Sequence, residues 1–155
     1  MDHNRFRRAC AQFATGIAVA SALDRDGLPH GMTVNSFTGV SLDPPLVLIS
    51  VDLTSNLLPL FEQSGHYGLS FLGQEQQEVS ARFALRGQNR FDGTGWMLGT
   101  TGLPLIPDAL AHLECRITQT IRAGDHTLLI AEVISADIQS GKPLLYFESG
   151  YRRLE

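Results

Sequence analysis

The stretch from Gly31 to Pro45, followed directly by the apolar run Leu46 to Val51, constrains this chain more than any other part of it. Thr33 and Asn35 fall on one face of a predicted strand, because side chains alternate along a strand with a period of two. Hydroxyls and amides bond uncharged heteroatoms and are not themselves bases, so this face suits holding a heteroaromatic ligand. A Ser/Thr-rich edge strand that runs into a loop fits the same residues.

Size and composition indicate one globular domain spanning residues 1–155. Of the 155 residues, 43% are apolar and 18% are charged, which is enough apolar material for a sizeable core. The formal net charge is -4. Nucleic-acid binding requires a basic face for phosphate contacts, so we expect no nucleic-acid partner.

The sequence also argues against a membrane or a metal site. It has no apolar stretch near the roughly 20 residues of a membrane span and no signal-peptide core at its start, so we expect a cytoplasmic protein. Cys10 and Cys115 lack CxxC spacing, and we expect both to be buried thiols. The five histidines lack metal-site spacing, so no structural metal is expected.

Hydrophobic periodicity predicts many strands linked by hairpins, with few helices and no βαβ rhythm, which indicates an antiparallel barrel. The predicted strands are 17–24, 30–36, 46–51, 67–72, 111–121, 126–138 and 144–147. Short helices are predicted over 3–14, from about residue 52, and over 74–84. The first of them would be an amphipathic helix that lies on the fold. The expected core residues of the long C-terminal hairpin are Ile117, Ile121, Leu128, Ile130 and Val133.

Two short segments bear on chemistry. Asp52 to Asn56 is typical of a helix start, whose free N–H groups and dipole favour an anion, although an ordinary N-cap explains it too. Gly93-Thr94-Gly95 does not complete a dinucleotide fingerprint, because the next glycine is misplaced and no helix pattern follows. No motif for hydrolysis or phosphoryl transfer is present, so redox chemistry would have to come from a cofactor.

Several motifs, in order, resemble the flavin reductase family of the FMN-binding split barrel. They cover nearly all of the chain, and their joint occurrence is more specific than any one of them. The motifs are Ala14–Val19, His30–Thr38, Ser41–Pro45, Ser80–Phe83, Gly124–Thr127, Pro143–Phe147 and Tyr151. The resemblance implies a mainly β, antiparallel split barrel with a few short peripheral helices. It also implies an NAD(P)H:flavin reductase serving a two-component monooxygenase, similar to styrene monooxygenase reductases.

The same resemblance implies where a flavin, FMN or FAD, would bind. Thr33, Val34, Asn35 and Ser36 would meet the polar edge of the isoalloxazine, and Ser50, Val51 and Asp52 would line it largely through backbone groups. Thr54, Ser55, the Asn56 amide and Arg82 would hold the phosphate. Phe83, next to Arg82, would also belong to the flavin site. Leu53, Asn56 and Leu57 stand where relatives are expected to carry a basic residue or a further Thr, which leaves FMN versus FAD open.

On the nicotinamide side, the resemblance implies that His126 lies near the ring of NADH or NADPH and that Tyr151 caps the site. A lone His opening a strand also serves as a structural hydrogen-bonder, and Tyr151 could equally be a surface residue. Arg86 or Arg90 could recognise a 2′-phosphate, so the choice of nicotinamide stays open. The family further implies a homodimer with the flavin where two subunits meet. The alternatives are a flavin-holding electron carrier, a flavin- or haem-binding module, or a dimerising subunit.

Overall fold

The computed structural model describes residues 1–87 and 89–155 and consists mainly of strands. The twelve strands are β1 Thr15–Gly16, β2 Ala18–Leu23, β3 Pro29–Val34, β4 Thr38–Ser41, β5 Leu46–Asp52, β6 His66–Phe71, β7 Met97–Leu98, β8 Pro104–Leu105, β9 Ala111–Ala123, β10 His126–Ile138, β11 Leu145–Phe147 and β12 Gly150–Arg152. The three α-helices are α1 His3–Cys10, α2 Leu58–Ser64 and α3 Gln77–Phe83.

Seven strands form one sheet in the order β3-β2-β6-β9-β10-β5-β4, and every neighbouring pair is antiparallel. Two small sheets, β1-β11-β12 and β7-β8, complete the strand pairing. The predicted mainly β, antiparallel architecture with short helices is confirmed. The sequence pattern missed β4, and it extended β3 two residues beyond its end at Val34.

The hairpin of β9 and β10 is the longest element of the sheet. Its strands are joined at Gly124 and Asp125, and Gly124 has φ 61°, a backbone conformation that glycine adopts without steric cost. Register shifts after Ile130 and after Val133 mark irregular pairing, which increases the local twist. The predicted hairpin is therefore present, with a tighter turn than the predicted 122–125.

One face of the seven-stranded sheet, together with α2, encloses the larger hydrophobic cluster. On β10 the buried side chains are Thr127, Leu129 and Ala131, which is the opposite alternation from the predicted Leu128 and Ile130. Both faces of this strand are apolar, so periodicity alone could not choose between them. The prediction for Ile121 was also wrong, because that side chain is 42% exposed. Ile117 and Val133 pack partly against the cluster, as expected.

A second, smaller cluster lies on the other face of β2 and β3, beneath α3. Val19 of β2 and Phe83 of α3 are both fully buried in it. The Phe83 ring meets Phe91 edge to face with 4.7 Å between centroids. This cluster fixes α3 and the segment after it against the sheet.

Helix α1 departs from the prediction that it lies on the fold, because none of its residues is buried. Cys10 is exposed, so the prediction of a buried thiol was wrong there, whereas Cys115 is fully buried as predicted. Burial, with a contribution from the Glu114 carboxylate, raises the pKa of Cys115 to about 12. None of the helices in residues 1–87 and 89–155 combines the length and apolar character needed to cross a bilayer.

Replacing Leu129 by alanine should lower the free energy of unfolding by about 2–5 kcal/mol, because it removes a fully buried side chain and leaves a cavity. Leu28→Ala is the matched control, since Leu28 is 52% exposed in the β2–β3 turn. This substitution should lower the free energy of unfolding by about 0.5 kcal/mol or less. Urea unfolding measures both. Equal losses would contradict the alternation seen on β10.

Candidate active site

Two adjoining cavities lie on the outer side of β3. The tyrosine cavity, about 200 Å³, is lined by Ile17, Thr33, Asn35, Ser80, Ala84, Tyr146 and Tyr151. The arginine cavity, about 380 Å³, is lined by Met32, Thr33, Asp52, Thr54, Ser55, Asn56, Phe83, Ala84, Arg86, Gly87 and Arg90. Thr33 and Ala84 line both cavities, which therefore lie side by side.

The alternation of β3 brings Thr33 and Asn35 to the tyrosine cavity, as the sequence predicts. The Thr33 hydroxyl donates to the Ser80 carbonyl over 2.7 Å and so ties β3 to α3. The exposed Asn35 amide has no hydrogen-bond partner among the described residues. Val34 points the other way and is buried in the larger cluster. The Asn35 amide is therefore a polar group free to meet a ligand here.

Ser36, Ser50 and Val51 line neither cavity. The Ser36 hydroxyl donates to the Ser50 carbonyl and accepts from the Ser50 N–H, each over 3.1 Å. Val51 is fully buried inside the sheet. These residues hold the segment after β3 against β5, and this places Asp52 at the rim of the arginine cavity.

Residues 53–57 form a loop between β5, which ends at Asp52, and α2, which begins only at Leu58 and not near residue 52 as predicted. Asp52 Oδ1 accepts from both the N–H and the hydroxyl of Thr54 at 2.7 Å, and the Asp52 carbonyl accepts from Ser55 N. The two Thr54 bonds, and then the charges of His126 and Arg86, lower the pKa of Asp52. The Asn56 N–H donates to no acceptor within the described residues and stays available for an anion.

The arginines that face this loop are Arg86 and Arg90. Arg82 lies in neither lining, and its Nε donates to the Arg90 carbonyl over 2.6 Å. Its role toward the phosphate stays a prediction. Arg90 donates through Nη1 to the Gly31 carbonyl at 2.7 Å and through Nε to the Leu85 carbonyl. Burial and the neighbouring Arg86 charge lower the pKa of Arg90. An anion between the two guanidinium groups would relieve their repulsion.

The spacing of these arginines is visible in the sequence and could have indicated that they lie together. Arg82, Arg86 and Arg90 follow one another at intervals of four, which places all three on one side of a continuing helix. Helix α3 ends at Phe83, however, and the chain beyond it turns towards β3. The motif Ser80–Phe83 therefore identified the right helix, while the arginines of the cavity come from the segment after it.

His126 stands beside the arginine cavity rather than in its lining. It is paired with Asp52 across β10 and β5, so both side chains share one face of the sheet. Its Nδ1 lies 2.7 Å from Asp125 Oδ1, which orients the imidazole. The Asp125 carbonyl also accepts from Leu53 N at 2.9 Å and fixes the hairpin turn against the 53–57 loop.

Tyr151 of β12 closes the tyrosine cavity. Its hydroxyl lies 2.9 Å from the hydroxyl of the fully buried Ser80, and its ring meets Tyr146 edge to face with 5.7 Å between centroids. Phe83 forms a buried wall of the arginine cavity. Ser80 and Tyr146 belong to motifs found in the sequence, but their places in the lining come from the tertiary structure.

The groups gathered here suit binding rather than acid-base or metal chemistry. The part of the chain that the structure describes contains no cluster of three His, Cys, Asp or Glu side chains able to hold a metal ion. The tyrosine cavity offers aromatic rings and the Asn35 amide, and the arginine cavity offers two guanidinium groups and the Asn56 N–H. These donors fit the uncharged ring and the anionic phosphate of a flavin nucleotide.

Tyr151→Phe should lower the free energy of unfolding by about 1–3 kcal/mol, because it leaves the buried Ser80 hydroxyl without its partner. Adding Ser80→Ala should recover part of the loss, since removing both partners leaves no unpaired group. Urea unfolding of the wild-type protein, the two single variants and the double variant gives the four free energies of a double-mutant cycle. Additive losses would show that the two hydroxyls do not interact.

Comparison with known proteins identifies the family of this chain. Residues 10–155 match the flavin reductase like domain. The chain is 42% identical to the FMN reductase (NADH) SmoA of Agrobacterium fabrum, over 96% of this chain and 84% of that protein. The styrene monooxygenase flavin reductase SMOB of Pseudomonas putida S12 superposes with a TM-score of 0.90 at 42% identity, covering 97% of both chains. The NADH:FAD oxidoreductase SgcE6 of Streptomyces globisporus, solved with NAD and FAD fragments, has a TM-score of 0.94 at 36% identity, covering 99% of this chain and 93% of that one. The chain belongs to the flavin reductase family.

Proposed function

We propose that this protein transfers a hydride from NADH to a flavin, FMN or FAD, and supplies the reduced flavin to a partner monooxygenase. The relatives with that chemistry in their names match nearly the whole chain. The observation that carries the assignment is the pair of adjoining cavities, with a free amide in the tyrosine cavity and two arginines in the arginine cavity.

In this proposal Thr33 and Asn35 meet the polar edge of the isoalloxazine, while Asn56, Arg86 and Arg90 hold the phosphate. Bound flavin supplies the hydride-accepting chemistry, and the protein supplies orientation and exclusion of water. The Thr33–Ser80 bond keeps the wall of the tyrosine cavity in place. Asp52 shapes the phosphate loop by binding Thr54, so its carboxylate is already engaged.

His126 positions the nicotinamide. Its Nδ1 is held by Asp125, which leaves Nε2 to bond an uncharged group such as a carboxamide. Its pairing with Asp52 puts it on the face of the sheet that borders the arginine cavity. A flavin-holding electron carrier would need the two cavities, but it would not need the Gly124–His126 segment, because it does not bind a nicotinamide.

An absorbance assay of NADH and NADPH oxidation, with FMN and FAD in turn, tests the function. We expect oxidation of NADH with either flavin well above the background without enzyme. His126→Ala should lower kcat/KM for NADH about 2- to 10-fold, which corresponds to the loss of one hydrogen bond of about 0.5–1.5 kcal/mol. Flavin affinity should be unchanged, because His126 lies outside both cavity linings.

His66→Ala is the control, since His66 bonds the Ser64 carbonyl and lies in neither cavity lining. It should leave both kcat/KM and flavin affinity unchanged. No oxidation of either nicotinamide by flavin-saturated protein would favour the electron carrier. Loss of flavin binding in His126→Ala would make His126 a structural residue.

The active assembly in this proposal is a homodimer of single-domain chains. Helix α1 buries none of its own residues, and the aromatic side chains Phe6 and Phe13 are 59% and 79% exposed. Val40 and Leu42, on and beside the edge strand β4, are also exposed. Apolar surface of this kind is usually covered, and a second copy is the partner that a symmetric oligomer provides.

Sedimentation at micromolar concentration should give about 34 kDa, twice the chain mass of 16.9 kDa. Phe13→Arg should shift the protein towards monomer, because it places a charge on the covered surface. Leu28→Arg is the control, since Leu28 is exposed in the β2–β3 turn. A monomer of about 17 kDa that retains flavin would contradict the dimer.

We place the protein in the cytoplasm. Cys10 and Cys115 are both free thiols, and Cys10 is exposed. Unpaired exposed thiols persist in a reducing compartment, which supports this location.

A further inference from the structure

A further cavity adjoins the tyrosine cavity and takes no part in the proposed function. The apolar cavity, about 330 Å³, lies where Ala18 of β2 pairs with Val34 of β3 and with Phe71 of β6. It shares Ile17 and Asn35 with the tyrosine cavity, so the two cavities have a common wall. Its volume lies at the lower end of the range of small-ligand sites, roughly 300–1,000 Å³.

The walls of the apolar cavity are firmly packed. Leu72 and Leu144 line it and are almost completely buried in the smaller hydrophobic cluster. Phe37 and Phe71, also in the lining, meet edge to face with 4.8 Å between their ring centroids. Aromatic rings pack well against other aromatic rings in offset or edge-to-face contacts. A flat aromatic molecule therefore suits these walls.

The charge of the lining restricts the ligand further. Within the part of the chain that the structure describes, no charged side chain lines the apolar cavity. A charged ligand would lose its hydration there without gaining an ion pair, which is unfavourable. The cavity therefore favours a neutral molecule.

Two polar side chains interrupt the apolar lining, Thr15 and Asn35. Thr15 Oγ1 is buried and has no hydrogen-bond partner among the described residues. A buried polar group that is left unpaired costs about 1–3 kcal/mol, so a ligand that supplies the missing bond gains affinity. The Asn35 amide is exposed and offers both a donor and an acceptor. A hydroxyl or N–H group on the ligand would suit this part of the wall.

We propose that the apolar cavity is a second small-molecule site, which binds one neutral aromatic molecule with a hydroxyl or N–H group and thereby tunes flavin binding. The tuning rests on the proposed function, because it takes the flavin ring to lie in the tyrosine cavity. Ile17 and Asn35 line both cavities, so the two ligands contact the same side chains. A molecule that bonds the Asn35 amide restricts its rotamers, and the flavin then meets an amide that is already oriented.

Calorimetric titration of the full chain with 2-naphthol and with 2-naphthoate, without flavin or NADH, tests the site. We expect one 2-naphthol to bind per chain. The Kd of 2-naphthoate should be higher by about tenfold or more, because its carboxylate would be desolvated without a cation. No binding of 2-naphthol at millimolar concentration, or equal Kd values for the two probes, would overturn the proposal.

Leu110→Trp tests the location of the site. Leu110 lines the apolar cavity and neither of the other two, so the larger ring should fill part of the apolar cavity alone. The Kd of 2-naphthol should rise about fivefold or more, because overfilling a packed site is unfavourable. NADH oxidation with FMN in the absence of 2-naphthol should be unchanged, which shows that the variant is folded.

Leu28→Trp is the control, since Leu28 is exposed in the β2–β3 turn and lies outside the cavity. It should leave the Kd of 2-naphthol unchanged. An unchanged Kd in folded Leu110→Trp would place the probe elsewhere and overturn the proposal.

Flavin fluorescence titration with and without saturating 2-naphthol tests the tuning. The Kd for FMN should fall about two- to fivefold, and FMN should lower the Kd of 2-naphthol by the same factor, because coupling between two sites is reciprocal. Leu110→Trp should remove both effects. A Kd for FMN that rises in proportion to the 2-naphthol concentration would show that the probe occupies the flavin site, and an unchanged Kd would show no tuning. Either result contradicts the proposal.

An aromatic side chain from a second copy of the chain is the competing occupant. In that case 2-naphthol would not bind, and Leu110→Trp would shift the sedimenting species from dimer to monomer, which overturns the proposal. The calorimetric test needs neither flavin nor NADH, whereas NADH oxidation with FMN by the wild-type protein reports on the proposed function. Failure of this inference and failure of the reductase assignment are therefore distinguishable.

Discussion

The alternation of side chains along β3 is the constraint on which both the core and the site depend. Val34 faces inward and packs with the strands of the larger cluster, while Thr33 faces outward and bonds the Ser80 carbonyl of α3. A strand buried on both faces cannot slip by one residue, because a slip would exchange the apolar and polar sets. The position of Asn35 at the tyrosine cavity follows directly from this register.

A second constraint joins the 53–57 loop to His126. The β9–β10 turn places Asp125 so that its carbonyl accepts from Leu53 N and its carboxylate holds His126. Asp52 lies between these groups, bonded to Thr54 and paired across the sheet with His126. The loop proposed to bind phosphate and the histidine proposed to position the nicotinamide are thus held by the same hairpin, which couples their geometry.

The electrostatics differ between the two cavities. In the arginine cavity burial, and then the charge of the neighbouring Arg86, lower the pKa of Arg90. In the β2–β3 turn Asp24 is engaged by His30 and by the Asp26 and Leu28 N–H groups, and these bonds lower its pKa. The cationic arginine cavity favours a phosphate, while the tyrosine cavity presents mainly neutral amide, hydroxyl and ring groups. Such an arrangement matches a molecule that joins an uncharged ring to a phosphate.

The sequence by itself determined the antiparallel β architecture, the shared face of Thr33 and Asn35, and the family. These follow from local periodicity, from the glycine at the hairpin turn and from several motifs in order. Tertiary structure alone decided which face of β10 is buried, because Leu128, Leu129, Ile130 and Ala131 are all apolar and a period of two cannot rank them. It also decided that Arg86 and Arg90, and not Arg82, line the arginine cavity. The reach of a long side chain depends on where α3 ends and how the chain turns back to β3, and those are non-local contacts that no local pattern contains.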